Sequence, residues 1–465
     1  MIRKITFGGF LIVMIVGLVT FSAFALRSHV LYTWTGAEGT HVTKVADLWN
    51  EKFAEKYGFK VVVNQVGRDE FFSKMMTMIP SRTDTWQAFM VFNFYIPTFA
   101  EEGYILPLDK YYEDPAFFLP TYTKPLESAL AMVSYKGSIY GFPEVVVSEG
   151  ILRYRKDLIE RLLSDEEWKQ KYRSLSKEVL GLELEPKPPE EWMWDDYLAA
   201  AIFFTKKYNP DSPTEYGTTF QGLSTFGVQF AALFYEVLRS FGGDIIEDGK
   251  VTVNSPEGLK AISFILDLKN KYDVVPPDVH RYEAFENFAA FQSGNVAFGI
   301  DWDWDSLHLT DPQQSPLVWD KMAETIPPKG PAGRAAYIQC FAWVINNYTS
   351  EQAKEDMARF LAFASGSEEG VVLGLQQGIP PATYIPGVLS PEKGFDQRTI
   401  DHYTFYYESI LSGKVVTPVF WPLVPGVPEI YTAISNALGR ALAQEISYEE
   451  ALKVMEEEIG KVIGK

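Results

Sequence analysis

The residues with most chemical potential in this chain are Asp301-Trp302-Asp303-Trp304, which closely follow the segment Phe291-Gln-Ser-Gly-Asn-Val-Ala-Phe298. Flat indole faces cover apolar C–H surfaces, and carboxylates accept hydrogen bonds from hydroxyls, often two at once. Together they suit the capture of a small polyhydroxylated molecule. In an extended chain Trp302 and Trp304 share one face and Asp301 and Asp303 the other, unless a turn intervenes. The alternative is that both indoles pack a core.

Further candidates stand just past predicted strand ends. Trp34 and Glu38 lie on the first strand-to-helix loop, where a helix N-terminus also offers free N–H groups. Asp69 opens the next helix and reads as a contact or simply as its N-cap. Asn93 and Tyr95 follow the third strand. Glu149 lies between the strand-like runs Val145-Val-Val147 and Ile151-Leu-Arg-Tyr154, as a contact or half of a salt bridge. Gln221 sits in the polar loop Thr218-Thr-Phe-Gln-Gly222, and Trp421 and Tyr431 flank the last loop.

Catalysis has little support. The chain has no Gly-x-Ser-x-Gly, phosphate-loop or His-Glu-x-x-His pattern. Its five histidines, His41 and His280 among them, show no metal-ligand spacing, so no metal or cofactor is expected. The main rival is a secreted carbohydrate-active hydrolase, with Asp301 and Glu149 as carboxylates across a glycosidic bond. An adhesion or structural module without a small-molecule pocket is a third reading.

The elements that must position these residues alternate. Val30–Trp34, Phe59–Val63 and Trp86–Phe92 read as strands. Between them, Val42, Val45, Leu48, Trp49 and Phe53, then Phe71, Phe72, Met75, Met76 and Ile79, recur at helical spacing. This predicts an α/β layered lobe with ligands beyond the carboxyl ends of strands. Helices dominate from about 156 to 300, with a charged stretch over 156–189 that ends in an aperiodic excursion. The segment opened by Trp192-Met-Trp194 reads as a helix to Lys207, Ser255-Pro256-Glu257 as a helix start, Ile338–Val344 as a strand, and Ile430 onward as helical.

Residues 1–25 carry the marks of a secretory signal: Arg3 and Lys4, an apolar stretch from Ile5 to Phe21, and Ala23-Phe24-Ala25 as the cleavage site. A retained membrane anchor is the alternative. The only cysteine is Cys340, so neither a lipid-anchored cysteine after the signal nor an intrachain disulfide is available. A 465-residue chain exceeds one compact core, so two or more lobes are expected. A net charge of −19 argues against nucleic acid and anionic membranes as partners. It also disfavours anionic ligands unless Arg68 or Arg153 faces inward.

Several landmarks fall in a familiar order. They are Trp34-Thr-Gly36, Phe99-Ala-Glu-Glu-Gly-Tyr-Ile-Leu-Pro-Leu-Asp109, Tyr140-Gly-Phe-Pro143, Phe291–Phe298, Pro327-Pro-Lys-Gly-Pro331 followed by Phe341-Ala-Trp-Val-Ile345, Gln377-Gly378 with Pro380-Pro-Ala382, and Ser447-Tyr-Glu-Glu-Ala451. Together they resemble the extracellular solute-binding proteins of ABC importers, in the sugar-binding group that includes maltose-binding protein. The resemblance implies the two-lobe periplasmic-binding-protein fold, an α/β fold of mixed sheets flanked by helices with the ligand cleft at the hinge. It implies a first lobe of 28–143 plus 340–405 and a second of 146–335 plus 410–465. It places a turn after the strand before Asp301, and a ligand carboxylate at the crossover held by Glu149. It implies a monomer, periplasmic or extracellular, that passes a sugar or polyol to permease subunits without catalysing a reaction. A non-sugar solute is the alternative. The long excursion near 156–190 and the Trp/Asp run at 301–304 depart from the pattern and leave the ligand's identity open.

Overall fold

The computed structural model describes residues 26–114, 117–224 and 228–464. Residues 1–25, read above as an export signal, lie outside them. Among the described residues no helix is long and apolar enough to cross a membrane.

The first strand, β1 (Arg27–Trp34), is buried from Leu31 to Trp34. It pairs in parallel with β2 (Phe59–Val66) and β3 (Ala88–Phe92). Parallel neighbours need a crossover connection, and the helices Ala37–Lys52 and Arg68–Met78 supply it. The first buries Val42, Val45, Ala46 and Trp49, the stripe that its apolar spacing predicts. β3 begins two residues later than the sequence suggested, because Trp86 and Gln87 form the approach to the sheet.

Two further strands lead out of this sheet. β4 (Phe142–Ser148) ends at Glu149-Gly150, and β5 (Ile151–Arg155) starts immediately after. β5 is the centre of a separate antiparallel sheet between β6 (Phe298–Asp301) and β7 (Met322–Thr325). The return strand, β8 (Ala335–Ile345), is buried at all eleven positions. A strand covered on both sides reads as an unbroken apolar run, and Cys340 belongs to that run. β8 starts earlier than Ile338, because Ala335–Tyr337 pair with β9 (Thr417–Val419). Its middle pairs with β4, Ile338 opposite Ser148, and its end with β3, Phe341 opposite Phe92. The large sheet is therefore mixed, in the order β9-β8-β3-β1-β2, with β4 also on β8.

The β8–β4 register slips between Phe341 and Ala342, which face Val145 and Pro143. Glu144 is the extra residue of this bulge, and bulges re-aim side chains. Its carboxylate meets the buried His41 ring at 2.6 Å, and its carbonyl accepts from the Ala382 N–H at 3.0 Å.

Helices flank the smaller sheet. Ser255 caps Pro256–Asn270, its hydroxyl accepting from the Gly258 N–H at 3.1 Å. The charged stretch after Lys156 is mostly regular, forming Lys156–Ser164 and Glu166–Leu180 with Asp165 capping the second. The helix from Trp194 stops at Phe203, short of Lys207. There the Thr205 hydroxyl bonds back to the Ala201 carbonyl and accepts from the Gly217 N–H. The chain end is two helices, Val427–Leu442 and Tyr448–Val462, the second capped by Ser447.

Gly150, at the crossover from β4 to β5, has no room for a side chain. A Cβ there would lie 2.4 Å from the Ala336 Cβ and 2.9 Å from a Glu236 carboxylate oxygen. Overpacking of this kind costs about 1–3 kcal/mol. Gly150→Ala is therefore expected to lower the melting temperature by several degrees in calorimetry; an unchanged melting temperature would show that the crossover yields freely.

Candidate ligand-binding site

At the crossover, three groups converge on one peptide of β8. The Glu149 N–H donates to the Tyr337 carbonyl at 3.0 Å, and the Ser148 hydroxyl donates to the same oxygen at 2.9 Å. The Tyr337 N–H in turn donates to Oε2 of Glu236 at 3.0 Å. Glu236 is the lone carboxylate in the helix Val228–Phe241, among buried residues that include Phe230, Phe234, Val237 and Leu238. Glu149 is 2% exposed and Glu236 0%. Oε2 of Glu149 and Oε1 of Glu236 have no hydrogen-bond partner among the described residues. Burial pushes the Glu236 carboxyl up to about 8. Burial also raises Glu149 well above the usual carboxylate range, with the charges of Glu236 and Asp301 adding to the effect.

Beside this pair, Asp301 at the end of β6 is fully engaged. It accepts from the Gln221 amide at 2.6 Å, the Asn287 amide at 2.7 Å and the Trp302 N–H at 2.9 Å. The Arg153 guanidinium of β5 lies 3.6 Å away. Burial raises the Asp301 carboxyl and Arg153 pulls it down. Arg153 also donates to the Ser306 hydroxyl at 3.2 Å, and that hydroxyl donates to Glu324, the partner of His402 at 2.8 Å. Asp303 ties the turn to the crossover: its N–H donates to the Ser148 carbonyl at 2.9 Å and its carboxylate accepts from the Ser148 N–H at 2.8 Å. Burial lifts this carboxyl to about 6.

Aromatic rings form a continuous wall. Trp302 meets Tyr337 edge-on at 6.2 Å, and Tyr337 meets Trp421 at 5.6 Å. Trp421 stacks on Tyr235 at 5.5 Å and lies 5.9 Å from Tyr431. Tyr431 touches Phe94 edge-on at 5.6 Å, Phe94 stacks on Phe92, and Phe92 on Trp34. The wall thus runs from the small-sheet side to the first strand. At its far end Trp34 donates from its indole N–H to Glu38 at 3.3 Å, and the Arg68 guanidinium lies 5.5 Å from the Trp34 ring. Asn93 accepts from the Cys340 N–H at 3.2 Å, while its buried amide nitrogen has no partner among the described residues. Tyr95 stacks on Phe99 at 5.6 Å.

Most of the residues singled out in the sequence are therefore neighbours here: Trp34, Glu38, Asn93, Tyr95, Glu149, Gln221, Asp301, Trp302, Trp421 and Tyr431. Two stand apart. Trp304 turns to Phe285, Phe288 and His308, because β6 ends at Asp301 and Asp303 pins a turn that splits the two indoles. Asp69 is exposed in the first turn of its helix, and the N-cap is Gly67. Glu149 makes no salt bridge among the described residues. Sequence reasoning missed Tyr337, Tyr235 and Glu236. Glu236 had a readable signal, a single carboxylate inside the apolar run Phe230–Leu238. Arg153 does face inward. Among the described residues no group of three or more His, Cys, Asp or Glu side chains could hold a metal ion.

A family model for bacterial extracellular solute-binding proteins matches residues 49–385. The chain belongs to that family. A Deinococcus radiodurans protein named "Probable ABC transporter-binding protein" is 26% identical over 68% of this chain and 67% of its own length. A mannitol-binding protein from Pseudomonas aeruginosa is 23% identical over 54% of this chain and about half its own length, 51%. An ABC substrate-binding protein from Listeria monocytogenes, solved in complex with cycloalternan, covers 94% of this chain and 99% of its own at 22% identity, with a TM-score of 0.70. The solute-binding fold is the two-lobe one, and β4 leaves the large sheet at Glu149 to continue as β5 of the small sheet, beside Tyr337 of β8.

The buried carboxyl of Glu236 sets a pH dependence for this solute-binding protein. Its proton is held in the folded chain up to about 8, whereas the unfolded chain releases it near 4.5. The contribution to stability is complete below about 4.5 and is lost as pH rises through 8, by at most about 1.4 kcal/mol per pH unit. His41 and His402, raised by Glu144 and Glu324 against the opposing effect of burial, act in the same direction. The difference between wild type and Glu236→Gln isolates the carboxyl. We expect the variant to match wild type near pH 4.5 and to melt higher at pH 8; parallel pH–melting curves would disprove a protonated Glu236.

Proposed function

We propose that this protein is the extracytoplasmic receptor of an ABC importer for a saccharide or sugar alcohol. The observation that carries the reading is the ring wall from Trp34 to Trp302, set against buried carboxyl and amide groups at the strand crossover. The ligand names of relatives point the same way, to a hexitol and to a cyclic oligosaccharide. Rings cover the C–H faces of a polyhydroxylated ligand, and Glu149, Asn93 and Gln221 keep atoms free for its hydroxyls. We assign Trp34, Asn93, Glu149, Gln221, Trp302, Trp421 and Tyr431 to this role, with Glu38 and Tyr95 at the rim.

The lobes in this reading are 28–143 plus 340–405 and 146–335 plus 410–465. The Phe94–Tyr431 contact and the Gly426 N–H bond to the Thr98 hydroxyl, 3.4 Å, then join them. These contacts must open to admit a ligand, a hinge motion about β4 and β8. Closure on the ligand removes apolar area at about 25 cal/mol per Å². It also strengthens charged hydrogen bonds of about 1.5–3 kcal/mol each. The closed monomer then docks on permease subunits, having been exported by residues 1–25 or held by them as an anchor. The protein does no chemistry in this account. Asp301, half of the glycosidase pair, already accepts from three donors beside Arg153 and is not poised to move a proton.

A thermal-shift screen against mono-, di- and oligosaccharides, sugar alcohols, amino acids and peptides tests the reading, because a ligand that binds only the folded state raises the melting temperature. We expect shifts confined to one saccharide or polyol class. We also expect Trp302→Ala and Trp421→Ala to weaken that ligand about 10–100-fold by calorimetry, about 1.4–2.7 kcal/mol. A shift with amino acids or peptides alone would overturn the carbohydrate assignment.

A further inference from the structure

The carboxylates at the crossover are treated unequally by the fold. Asp301 has its own cation, Arg153 at 3.6 Å, and two amides. Glu324 has His402. Asp303 accepts from the Ser148 N–H and keeps its other oxygen without a partner. Glu149 and Glu236 are the pair that stands together with no cation: neither forms an ion pair with any Lys, Arg or His among the described residues. Each keeps one oxygen without a hydrogen-bond partner, although both are at least 98% buried.

These two groups are near neighbours. Both bracket the Tyr337 peptide, and Oε2 of Glu236 lies 2.9 Å from where a Cβ on Gly150 would stand. Tyr337, whose backbone both residues engage, belongs to a contiguous group of rings with Trp421, Tyr235 and Tyr431. Gln221, 2% exposed and fixed to Asp301 by its amide nitrogen, has a carbonyl oxygen that is a third acceptor without a partner.

A neutral hydroxyl needs an acceptor but not a negative charge. Glutamine and asparagine would provide one without the cost of burying a carboxylate, as Asn287 does here for the Thr219 hydroxyl at 2.8 Å. Paired carboxylates without a countercharge, next to a group of aromatic rings, are instead the complement of a cation. The carboxylates supply the charge, and the ring faces attract it through their quadrupoles.

We infer that the ligand of this site bears a protonated amine, held between Glu149 and Glu236. The ligand class is an amino sugar or another polyhydroxylated amine rather than a neutral sugar or polyol. The inference rests on the saccharide reading of the preceding subsection. Binding would supply one countercharge and let one of the two carboxyls release its proton and ionise while the other stays protonated, which neither a neutral nor an anionic ligand can do.

Isothermal titration of the purified protein with matched probes at pH 7 tests this. The probes are glucose, glucosamine and N-acetylglucosamine, and the β-1,4-linked di- to tetrasaccharides of each. The expected result is that a free-amine member binds at least tenfold more tightly than its neutral and acetylated counterparts. That preference should collapse in Glu149→Gln and in Glu236→Gln, each first shown to melt cooperatively. If one variant fails to fold, the other carries the comparison. Equal or tighter binding of the neutral counterpart overturns the cation and leaves the saccharide receptor standing. An amine preference that survives both substitutions overturns the assignment to this pair. No binding by any probe at millimolar concentration overturns the saccharide reading and the inference together.

Discussion

The backbone of Tyr337 is held at both of its polar groups, and the architecture of the site follows from that hold. The Glu149 N–H and the Ser148 hydroxyl donate to its carbonyl, and its N–H donates to the Glu236 carboxylate. An unpaired peptide group in this position would cost as much as a lost buried hydrogen bond. The bonds therefore fix where β4 ends, where β8 begins, and how closely the helix Val228–Phe241 approaches them. Gly150 is the steric counterpart: the approach is so close that no side chain fits. β4 passes here into β5 of the small sheet, so in the proposed hinge motion the same bonds would set the axis about which the two lobes turn.

Around that axis the fold tolerates an unusual concentration of buried acids. Asp301 is bonded by Gln221, Asn287 and Arg153, Glu324 by Ser306 and His402, and Asp303 through one of its oxygens by the Ser148 N–H. They form a polar network running from Gln221 and Asn287 through Arg153 and Ser306 to His402. Such a network is worth its desolvation only when nearly every member is satisfied. It then acts as rigid support, and its rigidity carries Trp302 against Tyr337. Glu149 and Glu236 lie next to this support but outside its compensation. A protein optimised for stability alone would not leave two such acids side by side without a cation, and that is the ground on which the ligand is proposed to sit there.

Much of this was legible in the sequence, and the exceptions have physical causes. β1, β2 and their crossover helices could be read because β-branched and aromatic runs of strand length and amphipathic helices leave clear patterns in the sequence. The aromatic and amide residues past strand ends could be located because chain direction alone puts them at the carboxyl edge of a sheet. Trp304 could not be placed, since a two-residue parity argument fails once Asp303 bonds to Ser148, 155 residues away in sequence. Tyr337 was hidden because it lies inside a buried apolar strand, where a tyrosine looks like any other core aromatic. Glu236 was visible as a charge in an apolar helix, but its meaning depends on β8 arriving from a hundred residues downstream.

The unequal treatment of the acids also bears on how closure would be driven. In the proposed hinge motion the Phe94–Tyr431 contact would belong to the closed form, in which both carboxyls without a cation are buried. Burial raises both, so without a ligand the closed form must hold their protons or bear an unpaired charge in a dry setting. Opening admits water and relieves that cost. A ligand that satisfies the carboxyls removes the reason to open, while its apolar faces gain area only when the rings come together. Under the proposed reading, closure and capture would be coupled through the same residues, because the groups that recognise the ligand would be those whose burial is unfavourable without it.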